Sequence, residues 1–446
     1  MDFIPITANN KDKMLKFLGV ETIDELFTQS IPHEVKLKKQ LNIPAGVSEY
    51  ELIKHMRELA ERNLSLSRFT SFLGGGAYDH FIPSIVDAIV SLPELYTPYT
   101  PYQPEVSQGI LQSLFEYQTM IIELTGLEVA NASLYDGSTA VSEASLLACD
   151  VTGKNKIVVS ETVHSEYREV LKNYTVGIGA EIKHIPMKDG LTDLKVLEEM
   201  LSDDCACVII QHPNFFGYLE DVEEISIMAH RYKALFIVCI DPISLAILKA
   251  PGEYNADVAV GEGQPLGNKM NFGGPYLGIF ACRREYIRRV PGHLISSATD
   301  KNGRVGYVLT LQAREQYIRR EKATSNICTS EVLNAIAAAV YLSCMGPEGL
   351  LEVANQCLQK SHYAYKRLSN IHYLEPLSNA PFFKEFCFKS SKPIDKINDA
   401  LLDEGIIGGL DIGKLCSKQE NTILFCVTEK RTKDEIDKLV SVMEKV

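Results

Sequence analysis

Residues 205–242, CACVIIQHPNFFGYLEDVEEISIMAHRYKALFIVCIDP, carry the reading on which the fold turns. Residues 208–210 and Leu235–Ile240 are short, β-branched apolar runs, the pattern of strands buried on both faces of a parallel sheet. Between them Asp221 is placed to cap a helix, and Val222, Ile225, Met228 or Ala229, and Tyr232 recur at helical spacing on one side. The stretch predicts a strand–helix–strand unit with a right-handed crossover. It ends in Asp241. An acid directly after a buried strand lies at the carboxyl edge of the sheet, where open α/β sheets bind ligands. Two readings of Asp241 stand side by side: a strand-end cap, or an acid paired with the cationic nitrogen of a bound cofactor.

The same alternation extends outward. Strands are expected at Lys156–Ser160, Glu181–Ile185, 257–260 and 279–282, with helices at 164–174 and 194–201. That is a doubly wound α/β layout. A glycine-punctuated loop, 261–278, precedes the last of these strands. Residues 285–320 are rich in Arg and read as a surface crossing, followed by an apolar helix at 331–344. Pro347 and a change of pattern mark a boundary, after which helices at 349–368, 394–404 and 433–445 alternate with strands at 383–389 and 423–427. Residues 1–70 carry helical spacing and mixed charge, with Ser48 and Glu51 forming a capping box. The expected organisation is a helical N-terminal extension (1–70), a large α/β domain (71–346) and a small C-terminal α/β domain (347–446).

Composition removes several classes of function. The chain has 446 residues, 46% of them hydrophobic, and a formal net charge of −13. Without long basic stretches, nucleic acid and anionic membranes are not expected partners. The eleven cysteines are scattered, many within apolar runs (Cys239, Cys282, Cys344, Cys387, Cys426), which suits buried reduced thiols in the cytoplasm. Cys205 and Cys207 form C-x-C with no matching His/Cys pair, so no metal site is expected. The start, MDFIPITANNKDKML, has neither the layout of a signal peptide nor the Arg-rich bias of a transit peptide. Apolar runs fall short of the ~20 residues that span a bilayer.

Four further segments are candidates for chemistry. SFLGGGAYDH, 71–80, has three successive glycines but lacks the G-K-[ST] of a phosphate loop, and reads as a flexible or tightly packed loop. YTPYTPYQPEVSQG, 96–109, should be a stiff extended loop presenting Tyr96, Tyr99 and Tyr102, either as crevice fillers or as phenols at an active-site mouth. DGSTA, 136–140, opens a helix of small residues. That helix start is either an anion site, which the charge of Asp136 opposes, or a plain Asp cap. His164 shares the sheet edge with Asp241 and could stack on a flat ligand.

Several motifs together, YTPYTPYQPEVSQG, LTGLEVANASLYDGSTAVSEA (124–144), QPLG with FGGPYLG (264–278) and RREKATSNICT (319–329), resemble the glycine decarboxylase P-protein family, in particular the N-terminal half that many bacteria make as a separate subunit 1. The resemblance spans nearly the whole chain. It implies a pyridoxal-phosphate (PLP) fold of type I, in which glycine is decarboxylated and its aminomethyl group passes to a lipoyl arm on the H-protein. Asp241 stands where the family's pyridine-pairing Asp would be and His164 where the ring-stacking His would be. In the family's catalytic half a Schiff-base lysine stands nine residues before GGP; here that position is Gln264, followed by Pro265. Lys269 is out of register and Lys249 falls too soon after the strand. The resemblance thus implies a vestigial pocket (His164, Asp241, Gln264), with PLP covalently held in a partner subunit 2 of an α2β2 heterotetramer. Thr324 would reach the partner's cofactor phosphate in trans, and Tyr96, Tyr99 and Tyr102 would face its substrate. Two other readings stay open: an autonomous PLP enzyme using Lys269, and a non-catalytic assembly module.

Overall fold

The structure is a computed structural model that describes residues 6–39, 41–97, 100–271, 274 and 276–446. It divides into two units, Met1–Ser65 and Leu66–Val446. The described residues of the first form three helices. Ala8–Leu18 is capped by the Thr7 side chain and stopped by Gly19, and Ile23–Ser30 is capped by Thr22. Glu49–Ala60 begins with the expected capping box, Ser48 with Glu51. Among this unit's described residues only Leu15 and Val20 are buried.

The second unit is built on a seven-stranded sheet. Across it the strands run Val129–Ala130, Gly278–Cys282, Val258–Glu262, Leu235–Ile240, Cys205–His212, Lys156–Ser160 and Glu181–Ile185. The last five are mutually parallel, and Gly278–Cys282 runs antiparallel to both neighbours. Period-two alternation shares the central strands between two cores. Val208, Ile210, Phe236 and Val238 enter the cluster on one face, while Ile209, Leu235, Ile237 and Cys239 enter the cluster on the other. Each fully buried Val, Ile, Leu or Phe among these contributes about 2 kcal/mol. The helix Val222–Arg231 connects the two central strands, with Asp221 accepting the Glu224 N–H as its cap. The chain passes from Lys156–Ser160 outward to Glu181–Ile185 and then back to Cys205–His212 on the other side. This reversal leaves a crevice at the carboxyl ends of the strands.

A separate four-stranded antiparallel sheet (Leu374–Pro376, Glu385–Ser390, Thr422–Cys426, Leu410–Asp411) carries its own apolar cluster. Thr70–Ser71 pairs with Ile406–Ile407, so the chain entering the glycine loop is stitched to the C-terminal layer.

Several expectations need correction. The surface crossing at 285–320 contains a hairpin, Leu294–Thr299 with Val305–Thr310. The helices expected at 331–344 and 349–368 form one run, Val332–Leu368, broken in backbone angle at Gly346. That run is the one helix among the described residues long and apolar enough to cross a membrane, although Ala335–Ala339 lie buried in the core. Cys344 is exposed and Cys328 and Cys416 half-buried, whereas the other eight cysteines are buried; all eleven are free thiols.

Candidate functional site

Asp241 leaves the strand Leu235–Ile240 at the crevice. One carboxylate oxygen accepts the Ile243 N–H at 3.0 Å. The other lies 2.6 Å from Nζ of Lys384, a residue that immediately precedes the strand Glu385–Ser390 and is 1% exposed. The same ammonium is 3.0 Å from His80 Nε2 and 3.5 Å from the centroid of the Tyr78 ring. Burial draws the Lys384 pKa down, but Asp241 and its neighbours outweigh that and leave it raised. His80 in turn places Nδ1 2.6 Å from Glu429. Burial would raise the Glu429 carboxyl, yet His80 and the Phe81 N–H hold it down at about 2. The Cys357 thiol also reaches Glu429, at 3.5 Å. His80, Cys357 and Glu429 lie close enough together to bind a metal, but the ammonium against His80 already supplies the cation.

Glu385, next in the chain, turns to the glycine loop. It accepts the Gly75 N–H at 2.7 Å and the Tyr78 hydroxyl at 2.8 Å. Burial raises its pKa to about 7, against the pull of those donors and of Lys384. Gly75 has φ +83° and Gly76 has φ +115°, conformations that side chains rarely adopt. The Gly75 carbonyl is 2.9 Å from His164 Nε2. The loop at 71–80 is therefore tightly packed.

His164 caps the helix Ser165–Thr175 through Nδ1. Its ring is stacked on Tyr167, centroids 4.8 Å apart and planes inclined by 18°. Burial lowers its pKa. Asp136 caps the helix Gly137–Thr152, accepting the Thr139 N–H. The first N–H of that helix, Gly137, is taken by Glu262 at 3.1 Å. Glu262 also accepts from Gln264 and Leu277, and burial raises its pKa to about 8. Gln264 is buried, but its amide is used on the Tyr78 backbone and the Asn268 carbonyl.

These contacts decide whether PLP fits. The cation partner of Asp241 is Lys384, and the face of His164 carries Tyr167. The helix N–H suited to a phosphate is held by Glu262. The space enclosed between them is about 30 Å³, room for a water or two. The adjoining open groove, about 560 Å³, is lined by Asp136, Glu166 and Glu169, a poor setting for an anion. Lys269 is exposed and ion-paired with Asp87 at 2.8 Å, and Lys249 is paired with Glu223. The residues present do not fit the cofactor. The pocket at His164 and Asp241 is a filled one rather than an outline, and Gln264 braces the Tyr78 backbone without lining it.

The trans candidates lie elsewhere. Tyr96 is exposed; Tyr99 falls outside the described residues. Tyr102 sits edge-on to His293 and Tyr317, at 5.9 and 5.4 Å, and its hydroxyl reaches the Cys328 carbonyl. Thr324 lines a broad groove of about 1100 Å³ together with Glu143, Tyr174 and Ser325. Its buried hydroxyl lacks a hydrogen-bond partner among the described residues.

The structure places His164 and Asp241 on one pocket, beside Tyr78, Tyr167, Glu262, Lys384 and Glu385, which sequence reasoning missed. The FFKEF at 382–386 was the available signal: two charges in an otherwise apolar stretch, which need partners if buried.

The sheet order, Asp241 after a central strand and the second smaller sheet define the fold of type I PLP-dependent enzymes. A sphingosine-1-phosphate lyase of Burkholderia pseudomallei shares this fold, at TM-score 0.66 and 14% identity over 93% of this chain and 94% of that one. At higher identity, a crystal structure of glycine decarboxylase (P-protein) of the glycine cleavage system, in inhibitor-bound form, superposes with TM-score 0.93 and 41% identity over 100% of both chains. The family model for the glycine cleavage system P-protein matches residues 1–443. Relatives named probable glycine dehydrogenase (decarboxylating) subunit 1 are 53% identical in Carboxydothermus hydrogenoformans (443 residues, 99% of each chain) and 49% identical in Desulfitobacterium hafniense (446 residues, 100% of each chain). The chain belongs to the glycine cleavage system P-protein family, and its role is in glycine cleavage.

Proposed function

We propose that this chain is the subunit of a two-subunit glycine decarboxylase that carries no cofactor of its own. Subunit 2 would hold PLP, which when bound supplies the electron sink for loss of the glycine carboxyl group. The aminomethyl group would then pass to the lipoyl arm of the H-protein. This chain's contribution is made in trans. The Thr324 hydroxyl donates toward the partner's cofactor phosphate, and Tyr96, Tyr99 and Tyr102 present phenols to the partner's substrate. The domains are residues 1–70, 71–346 and 347–446, the assembly is an α2β2 heterotetramer and the compartment is the cytoplasm.

One observation carries this reading: the amine that meets Asp241, Lys384, is pinned on three sides, in a chain matched end to end by relatives named subunit 1. The buried hydroxyl of Thr324, a residue that lines the broad groove, lacks a partner among the described residues and adds support, since buried polar atoms normally have partners.

The test is reconstitution. This chain alone should be inert in exchange of CO2 with the glycine carboxyl, and the mixture with subunit 2 active. Borohydride should trap the cofactor on subunit 2. Thr324→Ala and Tyr99→Phe in this chain should each lower the mixture's activity about 10-fold or more. A trapped adduct on a lysine of this chain would refute the placement of the cofactor. Unchanged activity in both variants would refute the trans roles.

A further inference from the structure

The misfit between this chain and the cofactor is itself organised. Three contacts that a flat, phosphorylated, cationic ring would make at a sheet edge are each made by the chain. Lys384 gives Asp241 its cation, Tyr167 gives His164 its stacking partner, and Glu262 gives the Gly137 N–H its acceptor oxygen. Lys384 differs from the other two in where it comes from. Tyr167 and Glu262 belong to the layer around the seven-stranded sheet, whereas Lys384 leads into the four-stranded one. An ammonium has three N–H donors. Here they meet the Asp241 carboxylate, His80 Nε2 and the face of Tyr78.

We propose that Lys384 is a built-in cation: it occupies the cofactor's place on Asp241 and latches the four-stranded sheet to the edge of the seven-stranded one, so that the pocket stays closed without any ligand. A bound cofactor would make such a closure dependent on ligand concentration. An internal ammonium makes it a permanent part of the fold. The surrounding groups are arranged for that role. Glu385, beside the latch, ties the glycine loop through Gly75 and Tyr78, and Gln264 holds Tyr78 at both backbone N–H and carbonyl. The ring under the ammonium is thereby fixed from two directions. The inference stands whether or not a partner subunit carries PLP.

Breaking a buried ion pair by removing one partner leaves an uncompensated charge, and removing both does not. The full chain is therefore compared with Lys384→Met, Asp241→Asn and the double variant by apparent thermal midpoint. Each single change should lower the midpoint by roughly 5 °C, and the double change by less than the sum. Should Lys384→Met yield no folded protein, recovery of folded protein in the double variant supports the latch and continued failure overturns it. Lys384→Ala supplies a second reading. Added ethylammonium should raise the midpoint of this variant while leaving wild type and Lys384→Ala with Asp241→Asn unmoved. Strictly additive losses, or an equal response to the amine in all three proteins, would overturn the proposal. A pyridoxyl adduct trapped on the wild-type chain would instead refute the placement of the cofactor in subunit 2, a separate failure.

Discussion

Glu143 illustrates how one buried acid contributes to the pH response of this chain. It lies inside the helix Gly137–Thr152, 3% exposed. Burial raises its pKa from 4.5 to about 7, against the pull of the Ser325 hydroxyl. Below the unfolded value both states hold the proton and the group is neutral in its effect. As the pH climbs from 4.5 toward 7 the unfolded chain releases the proton first, so the folded state loses stability across that window and no more above it. Glu143→Gln keeps the shape and removes the titration. Relative to wild type, the variant should gain about 3 kcal/mol between acid and mildly alkaline pH. Unfolding midpoints of both proteins followed against pH would check this, and parallel curves would refute it. The residues legible beforehand were those whose meaning is local. Asp241 and His164 sit at strand and helix ends that pattern alone locates. The partners of Lys384 were not legible, because the stretch around it signals a charge in need of partners and only the fold brings Asp241, His80 and Tyr78 to it.

At the scale of elements, the turn after Cys205–His212 ties the two sheets together. Asn214 accepts the N–H groups of Phe216 and Tyr218, shaping the bend. Gly217 sits at φ +93°, and a Cβ there would run into the Glu385 carbonyl. Phe383 donates its N–H to the Gly217 carbonyl, so the two backbones touch directly. Gly217→Ala should therefore cost about 3 kcal/mol or more, combining strain at positive φ with displacement of a strand. Chemical denaturation of wild type and variant would measure it; a loss under about 1 kcal/mol would mean the strands part easily. The parallel strands and their helices could be read in advance because strands such as Leu235–Ile240 are apolar at every position and the helices cap with Asp221 or Asp136. The hairpin Leu294–Thr299 with Val305–Thr310 escaped notice. Its second strand is largely half-exposed, so its sequence lacks the unbroken apolar run that marked the others. The division of Val332–Leu368 was located by Pro347, yet the angular break falls one residue earlier, at Gly346, where glycine can take the positive φ that the preceding turn requires.

For the whole molecule, apolar surface is distributed unevenly between the two units. Residues 66–446 bury three apolar clusters. Within residues 1–65, by contrast, Phe17 is 90% exposed, Tyr50 79% and Leu37 73%. Val35, Leu41, Ile43 and Val47 are exposed as well. Capped helices with so little buried between them gain scant stability from packing within their own unit, and in the proposed two-subunit assembly the partner would cover this apolar surface. The extension should thus matter for assembly and hardly at all for the folding of the remainder. A chain lacking residues 1–65 should keep its apparent thermal midpoint within about 2 °C of the full chain. The same truncation should lower the mass that sediments with subunit 2 and, with it, the exchange activity of the mixture. A collapsed midpoint would show that the extension is part of the fold's core. Undiminished co-sedimentation would show that its apolar face serves no subunit contact.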